Sequence, residues 1–224
     1  MQIDCLVPSP FDRADLAAVR RAFSTATPLA LGQSWRSQPE SDFAPALVRT
    51  GWRDETMFVF AELTDADIFT RATDHNQAFW ELGDTFEIFL KPADRDPYVE
   101  LHVAPNNLHL HLRFPSADWL AQTPPQEVFA LALREPSAFR STTWVDAGAH
   151  TWSVLAEIPS GLVTGGAGRI EGNRWRFSFS RYDYTRGRDE PVISSTSPHP
   201  MPSFHRQEEW GSLLFRRQAT GDPG

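Results

Sequence analysis

Cysteine is nearly absent: Cys5 stands alone among 224 residues, so neither an intramolecular disulfide nor a cysteine-based zinc cluster can form. Positive charge is also scarce. Lys and Arg number 21 against 29 Asp and Glu, a formal net charge of -8, and no basic run offers the electrostatic footprint of nucleic acid or an anionic membrane as a partner. No apolar run approaches the roughly 18 residues a bilayer span needs. The amino terminus lacks the basic-then-apolar plan of a signal peptide, so the chain as written is expected in the cytoplasm, or in the periplasm or medium if a leader has been removed. Catalytic signatures are missing too. There is no GxSxG, HExxH or GxGxxG spacing and no phosphate-loop Lys-Ser/Thr, which points away from an enzyme.

What is present is aromatic and broken by turns. Hydrophobic content of 41% with 16 Phe and 8 Trp excludes disorder, and 18 Pro with 13 Gly argue for many strands separated by turns rather than helices. One large all-β domain is the expectation.

Residues 80 to 114 organise the chain. Phe86, Ile88 and Leu90, then Val99, Leu101 and Val103, then Leu108, Leu110, Leu112 and Phe114 alternate with period two, which predicts three neighbouring strands with one greasy face. The other face would carry Glu87, Phe89, Tyr98, Glu100, His102, His109, His111 and Arg113. Ala104-Pro-Asn-Asn107 has turn chemistry, so Val103 is expected opposite Leu108, His102 opposite His109 and Glu100 opposite His111. Cross-strand partners lie about 5 Å apart at Cβ, which would gather these groups into one patch. A one-residue slip would dissolve it.

Upstream, Asp12 or Asp15 is placed to cap a short helix running to Phe23. Strands are expected at Ala46–Trp52 and Glu55–Leu63, with residues 64–79 as a long polar loop leading to Trp80. Downstream, Pro115–Pro125 reads as a loop holding Trp119, followed by strands at Val128–Leu133, Thr142–Val145, Thr151–Ile158, Arg174–Tyr182 and Trp210–Arg216. In the strand from Arg174, Trp175, Phe177, Phe179 and Arg181 share a face. Glycine-rich Gly161–Gly172 reads as a connector. The expected organisation is an N-terminal arm with its helix over residues 1–27, a sandwich over 28–216, and a frayed tail over 217–224.

Four stretches, in order, carry a resemblance. They are Leu63-Thr-Asp-Ala-Asp-Ile68 with Trp80-Glu-Leu-Gly-Asp-Thr-Phe-Glu-Ile-Phe-Leu90, Tyr98-Val-Glu-Leu101, Trp175-Arg-Phe-Ser-Phe-Ser-Arg181, and Phe204-His-Arg-Gln-Glu-Glu-Trp-Gly211. Together they resemble the family 9 carbohydrate-binding modules and their DOMON-like relatives. The resemblance implies an antiparallel β-sandwich of jelly-roll type with long loops, a saccharide held against a concave sheet face by an aromatic platform, and structural calcium. The chain departs from that pattern at Ala104 and Ser178, where relatives often place Asn, and at Thr196, where they often place Trp.

Sugars present apolar C–H faces edged by hydroxyls, so a binder needs a flat ring beside planar hydrogen-bonding groups. Trp80 with Glu87, Glu100, His102, His109, His111, Arg113 and Arg181 is therefore the candidate ligand set. Trp119 is a second platform candidate, whereas Trp175 and Trp210 read as core and Asp84 as a turn anchor. Asp65, Asp67 and Asp74 offer hard oxygen ligands for calcium, without the EF-hand spacing. His102, His109 and His111 would suit zinc if they shared a face. A Met and His haem pair, drawn from Met57 or Met201, is the remaining alternative. Glu87 and Glu100 sit at a separation a glycosidase would use, but a shallow sheet face does not exclude water as acid catalysis demands. The expected function is a noncatalytic carbohydrate-binding module, with a structural or protein-interaction sandwich as the alternative.

Overall fold

The hairpin between β6 (Tyr98–Val103) and β7 (His109–Phe114) sets the faces of the larger sheet. Ala104 N–H donates to the Leu108 carbonyl at 3.1 Å, and Asn107 N–H donates to the Ala104 carbonyl at 2.9 Å. Asn107 has φ 63°. This is a three-residue loop, a tight turn closed by one left-handed residue. An odd loop moves the register by one from the even-loop expectation. His102 faces Leu110, Glu100 faces Leu112 and Tyr98 faces Phe114, while Val103 faces His109 and Leu101 faces His111.

The computed structural model describes residues 1–166 and 169–217. The larger sheet runs β1 (Gln2–Cys5), β12 (Gly211–Phe215), β10 (Arg174–Asp183), β5 (Thr85–Pro92), β6, β7, with β11 (Val192–Ser195) paired to the far half of β10. The smaller sheet runs β2 (Leu29–Ala30), β3 (Ala46–Arg53), β4 (Thr56–Thr64), β9 (Thr151–Pro159), β8 (Arg140–Asp146). Every pairing is antiparallel except β1 with β12. The result is a β-sandwich, the architecture the alternating patterns predicted.

Between the sheets lie Phe86, Ile88, Leu90, Val99, Leu101, Val103, Trp175, Phe177 and Phe179 from the larger sheet, facing Val48, Met57, Val59, Ala61, Trp152, Val154 and Ala156 from the smaller. The opposite side of β4 is used as well. Phe58 and Phe60 are covered by Val19 and Ala22 of α1 (Leu16–Ala22) and by Phe23 at its C-cap. Asp15 caps that helix by accepting from Ala17 N–H at 2.8 Å, satisfying one of its free amides.

Three expectations are corrected. Leu110, Leu112 and Phe114 leave the inter-sheet core and join Phe89 and Tyr98 on the outer face of the larger sheet. Residues expected as a loop and a strand form α2 (Ala117–Gln122) and α3 (Pro125–Ala132). Ser116 caps α2 through Trp119 N–H at 3.0 Å, and Pro125 at the first turn of α3 brings a preset φ to a run of helix formers. The Gly161–Gly172 connector contains α4 (Ser160–Thr164), which ends on left-handed Gly165; residues 167–168 lie outside the described residues, as does the expected tail from 218 onward.

The entrance to β5 is tightly fitted. Gly83 has φ 144°, and a Cβ there would sit 2.6 Å from the Phe69 carbonyl oxygen. Gly83→Ala is expected to destabilise the fold by about 1–3 kcal/mol, seen as a lower urea midpoint at unchanged slope.

Candidate functional site

Glu87 on β5 and Glu100 and His102 on β6 point from the outer face of the larger sheet, because Glu87 pairs with His102 across the ladder and Glu100 lies two residues along the same strand. His102 is fully buried and stands between the acids. Its Nε2 lies 2.6 Å from Glu100 Oε1 and its Nδ1 lies 3.4 Å from Glu87 Oε1. The second separation suits an ion pair but leaves Nδ1 without a hydrogen bond, and Glu100 Oε2 lacks one as well. Buried polar atoms without partners are costly, and they cluster where a ligand completes them.

Burial pushes Glu87 up to about 8, with Glu100 adding to the rise and His102 opposing it. Burial would raise Glu100 too, but His205 and His102 together outweigh it and hold that carboxyl below its ordinary range. For His102 burial favours the neutral ring, and the Glu87 charge with the Glu100 hydrogen bond and charge overcomes it, so the imidazole is raised. Glu100 is thereby favoured as the charged acid of the pair, and Glu87 as the one that holds a proton to unusually high pH.

Rings stand over this floor. Trp80, in the 3₁₀ turn Phe79–Glu81, meets His102 edge-on at 5.6 Å and Phe129 of α3 at 5.7 Å. Its carbonyl accepts from Tyr184 Oη at 2.6 Å, which pins the turn. His205, in the segment between β11 and β12, accepts or donates at 3.0 Å to Tyr98 Oη and lies 3.8 Å from Glu100 Oε2. These elements enclose a cavity of about 360 Å³ bounded by Trp80, Glu87, Glu100, Phe129, Tyr182 and His205. That is within the range of small-ligand pockets.

The sequence expectation is thus met for Trp80, Glu87, Glu100 and His102 as neighbours, and corrected for the rest. The odd hairpin loop turns His109, His111 and Arg113 inward. His109 stacks on Phe139 at 4.4 Å and bonds Ser141 Oγ at 2.6 Å, His111 Nδ1 bonds the Glu135 carbonyl at 2.9 Å, and Arg113 donates to the Leu162 carbonyl at 2.8 Å. His102, His109 and His111 therefore do not share a zinc site. Arg181 pairs with Phe86 and shares its inward face.

Arg181 instead closes a buried acidic cluster. It donates to Asp65 Oδ2 at 2.9 Å and to the Thr64 carbonyl at 2.6 Å, and it lies 3.0 Å from Asp183 Oδ1. Asp84 accepts from Phe69 and Tyr184 N–H at 2.6 and 2.8 Å, the anchoring role expected of it. Burial and the Asp65 charge push Asp84 up to about 8, and burial pushes Asp183 up to about 7 against Arg181. Calcium at Asp65, Asp67 and Asp74 does not fit this arrangement. A guanidinium already neutralises Asp65, Asp67 pairs with Arg186, and Asp74 is exposed beside Thr73. Haem fits no better, since Met57 is fully buried in the core whereas Met201 is half exposed.

Residues missed in the sequence are Tyr182, Phe114, Phe129 and His205. Tyr182 was legible, lying in period two with Ser178 and Ser180 opposite the Trp175 face. Phe114 needed the loop parity. Phe129 lies in α3, where a strand was expected, and His205 in a segment with no strand pattern. Trp119 packs edge-on to Phe114 at 6.0 Å, and Trp175 and Trp210 are core.

The fold defines a class: this is a β-sandwich of the kind found in family 9 carbohydrate-binding modules. Among solved structures it is similar to a candidate carbohydrate-binding protein from Bacteroides uniformis, with a TM-score of 0.75 and 16% identity over 96% of this chain and 99% of that one. It is also similar to a family 9 module from Caldicellulosiruptor kristjanssonii, in complex with cellotriose at a TM-score of 0.68 and 14% identity over 98% and 96% of the two chains. The glucose complex from that organism gives 0.65 and 14% over 100% of both. No family model matches the sequence, and no curated protein matches it.

Two outcomes follow from the electrostatics. Arg181→Met strands Asp65 and Asp183 without their cation, and is expected to cost about 3–5 kcal/mol in urea denaturation at neutral pH. Glu87 titrates higher folded, at about 8, than its ordinary 4.5. The folded chain then holds a proton the unfolded chain has released, so this stabilising contribution is full below the lower value and is lost as pH rises through the higher. Melting temperature should fall across that window, and fall less steeply in Glu87→Gln.

Proposed function

We propose that the protein is a noncatalytic carbohydrate-binding module whose ligand enters the cavity over Glu87, Glu100 and His102. The observation that carries this is a cavity floored by buried Glu87 and Glu100, with Glu100 Oε2 lacking a hydrogen bond and His102 braced between the two acids, beneath a wall of rings. A pyranose has the matching chemistry: hydroxyls for the carboxylates and imidazole, and C–H faces for Trp80 and its neighbours. The kinship in fold with modules holding glucose and cellotriose agrees with it.

Catalysis is disfavoured by placement. Glu87 and Glu100 lie on adjacent strands of one sheet face and share one imidazole, whereas glycoside hydrolysis needs its carboxyls on opposite sides of the scissile bond. No helix among the described residues is long and apolar enough to cross a membrane.

Isothermal titration with glucose, cellotriose and a wider set of mono- and oligosaccharides tests this reading. Trp80→Ala and His102→Ala should each weaken the best ligand about tenfold or more, which is about 1.4 kcal/mol, with the circular dichroism spectrum unchanged. Absence of heat with every saccharide would leave the sandwich without this function.

A further inference from the structure

The cavity's lining lacks a strong cation. Its boundary includes Glu87 and Glu100 but no Lys or Arg, and His205 is its one basic side chain. The guanidinium groups that would normally donate to sugar oxygens, on Arg113 and Arg181, are turned inward and spent on the Leu162 and Thr64 carbonyls and Asp65. Glu100 Oε2 is a buried acceptor with no hydrogen bond, 3.8 Å from His205 Nδ1. The walls repeat the bias. Trp80, Phe89, Phe114, Phe129, Tyr182 and Phe204 all present rings to the space, and aromatic faces attract cations through their quadrupole.

From this geometry we infer that the pocket selects a saccharide bearing a free ammonium group, an amino sugar rather than a neutral hexose. An ammonium brings three donors and no acceptor, so it completes Glu100 Oε2 and reaches Glu87. The pyranose ring then lies against the aromatic walls. This deepens the saccharide reading and rests on it for the sugar ring alone; the cation preference stands on the carboxylates and rings.

Proton linkage follows. The titratable groups lining the site are Glu87 from β5, Glu100 from β6, Tyr182 from β10 and His205 from the segment before β12, with His102 and Tyr98 of β6 in contact with them from behind. Both tyrosines are raised by burial and stay neutral. Glu87, held up to about 8 by burial, gives up its proton when a cation arrives beside it. Binding of a permanently charged amine should thus tighten as pH rises towards about 8.

Calorimetry on the full chain with glucosamine, N-acetylglucosamine, glucose and choline decides the matter. Glucosamine is expected to bind at least about tenfold tighter than glucose or N-acetylglucosamine, choline to compete with it and tighten with pH, and Glu100→Gln to erase the preference. Should Glu100→Gln fail to fold, the comparison of ligands on the unaltered chain decides alone. Glucose or N-acetylglucosamine binding as tightly as glucosamine overturns the amino-sugar inference and leaves the saccharide reading intact. Choline binding without any sugar keeps the cation site and sinks the saccharide reading. Stoichiometric Zn²⁺ that glucosamine does not displace overturns the ammonium in favour of a metal on Glu87, Glu100 and His102.

Discussion

One left-handed residue decides what each face of the larger sheet contains. With Asn107 at φ 63°, the β6–β7 loop takes an odd number of residues, and every side chain of β7 lies on the side opposite to that of an even loop. Leu110, Leu112 and Phe114 then build an apolar surface on the outside, while His109, His111 and Arg113 find partners inside. Asn suits that position for two reasons. It tolerates positive φ better than most residues, and its side chain is held by Ser141, whose Oγ donates to Oδ1 at 2.6 Å.

Because β7 supplies hydrophobic groups to the outer face, Glu87, Glu100 and His102 are not a solvated polar surface but a polar island in an apolar setting. Low surrounding polarity raises the stakes of each pairing. It is why His102 sits hydrogen-bonded to Glu100 and within ion-pair reach of Glu87: acid and imidazole support each other where neither would be tolerated alone. The sandwich interior repeats the solution at its end, where Arg181 lies between Asp65 and Asp183. The two clusters differ in access. Arg181 meets Asp65 and Asp183 away from the cavity's lining, whereas Glu100 of the His102 cluster lines it with Oε2 lacking a hydrogen bond.

Much of this was legible in the residues. Strands β5, β6 and β10 follow strict period two, which placed Phe86, Leu101 and Phe177 inside and Glu87, Glu100 and His102 outside. The same rule put Arg181 with Trp175 and Phe177, so its inward position was readable despite its charge. What was not legible depends on backbone handedness and on tertiary covering. Four turn-forming residues do not announce whether the loop closes on three or four, and β7 alternates equally well in either register. The short apolar run from Val128 to Leu133 reads equally as strand or helix, and the helical identity of α2 and α3 comes from Ser116 and Pro125 as start signals.

The α2–α3 segment also explains how a shared scaffold can acquire its own ligand preference. The floor is built on β5 and β6, whose positions are fixed by ladders on both sides, so its geometry is as rigid as the sandwich. Much of the wall is contributed from elsewhere: Phe129 from α3, Trp80 from the turn ahead of β5, and His205 and Phe204 from the stretch after β11. Changes in those segments leave the inter-sheet core untouched, because they pack in a separate cluster on the outer face. Selectivity on this fold can therefore shift by exchanging rings and donors at the rim, with little cost to the sandwich beneath.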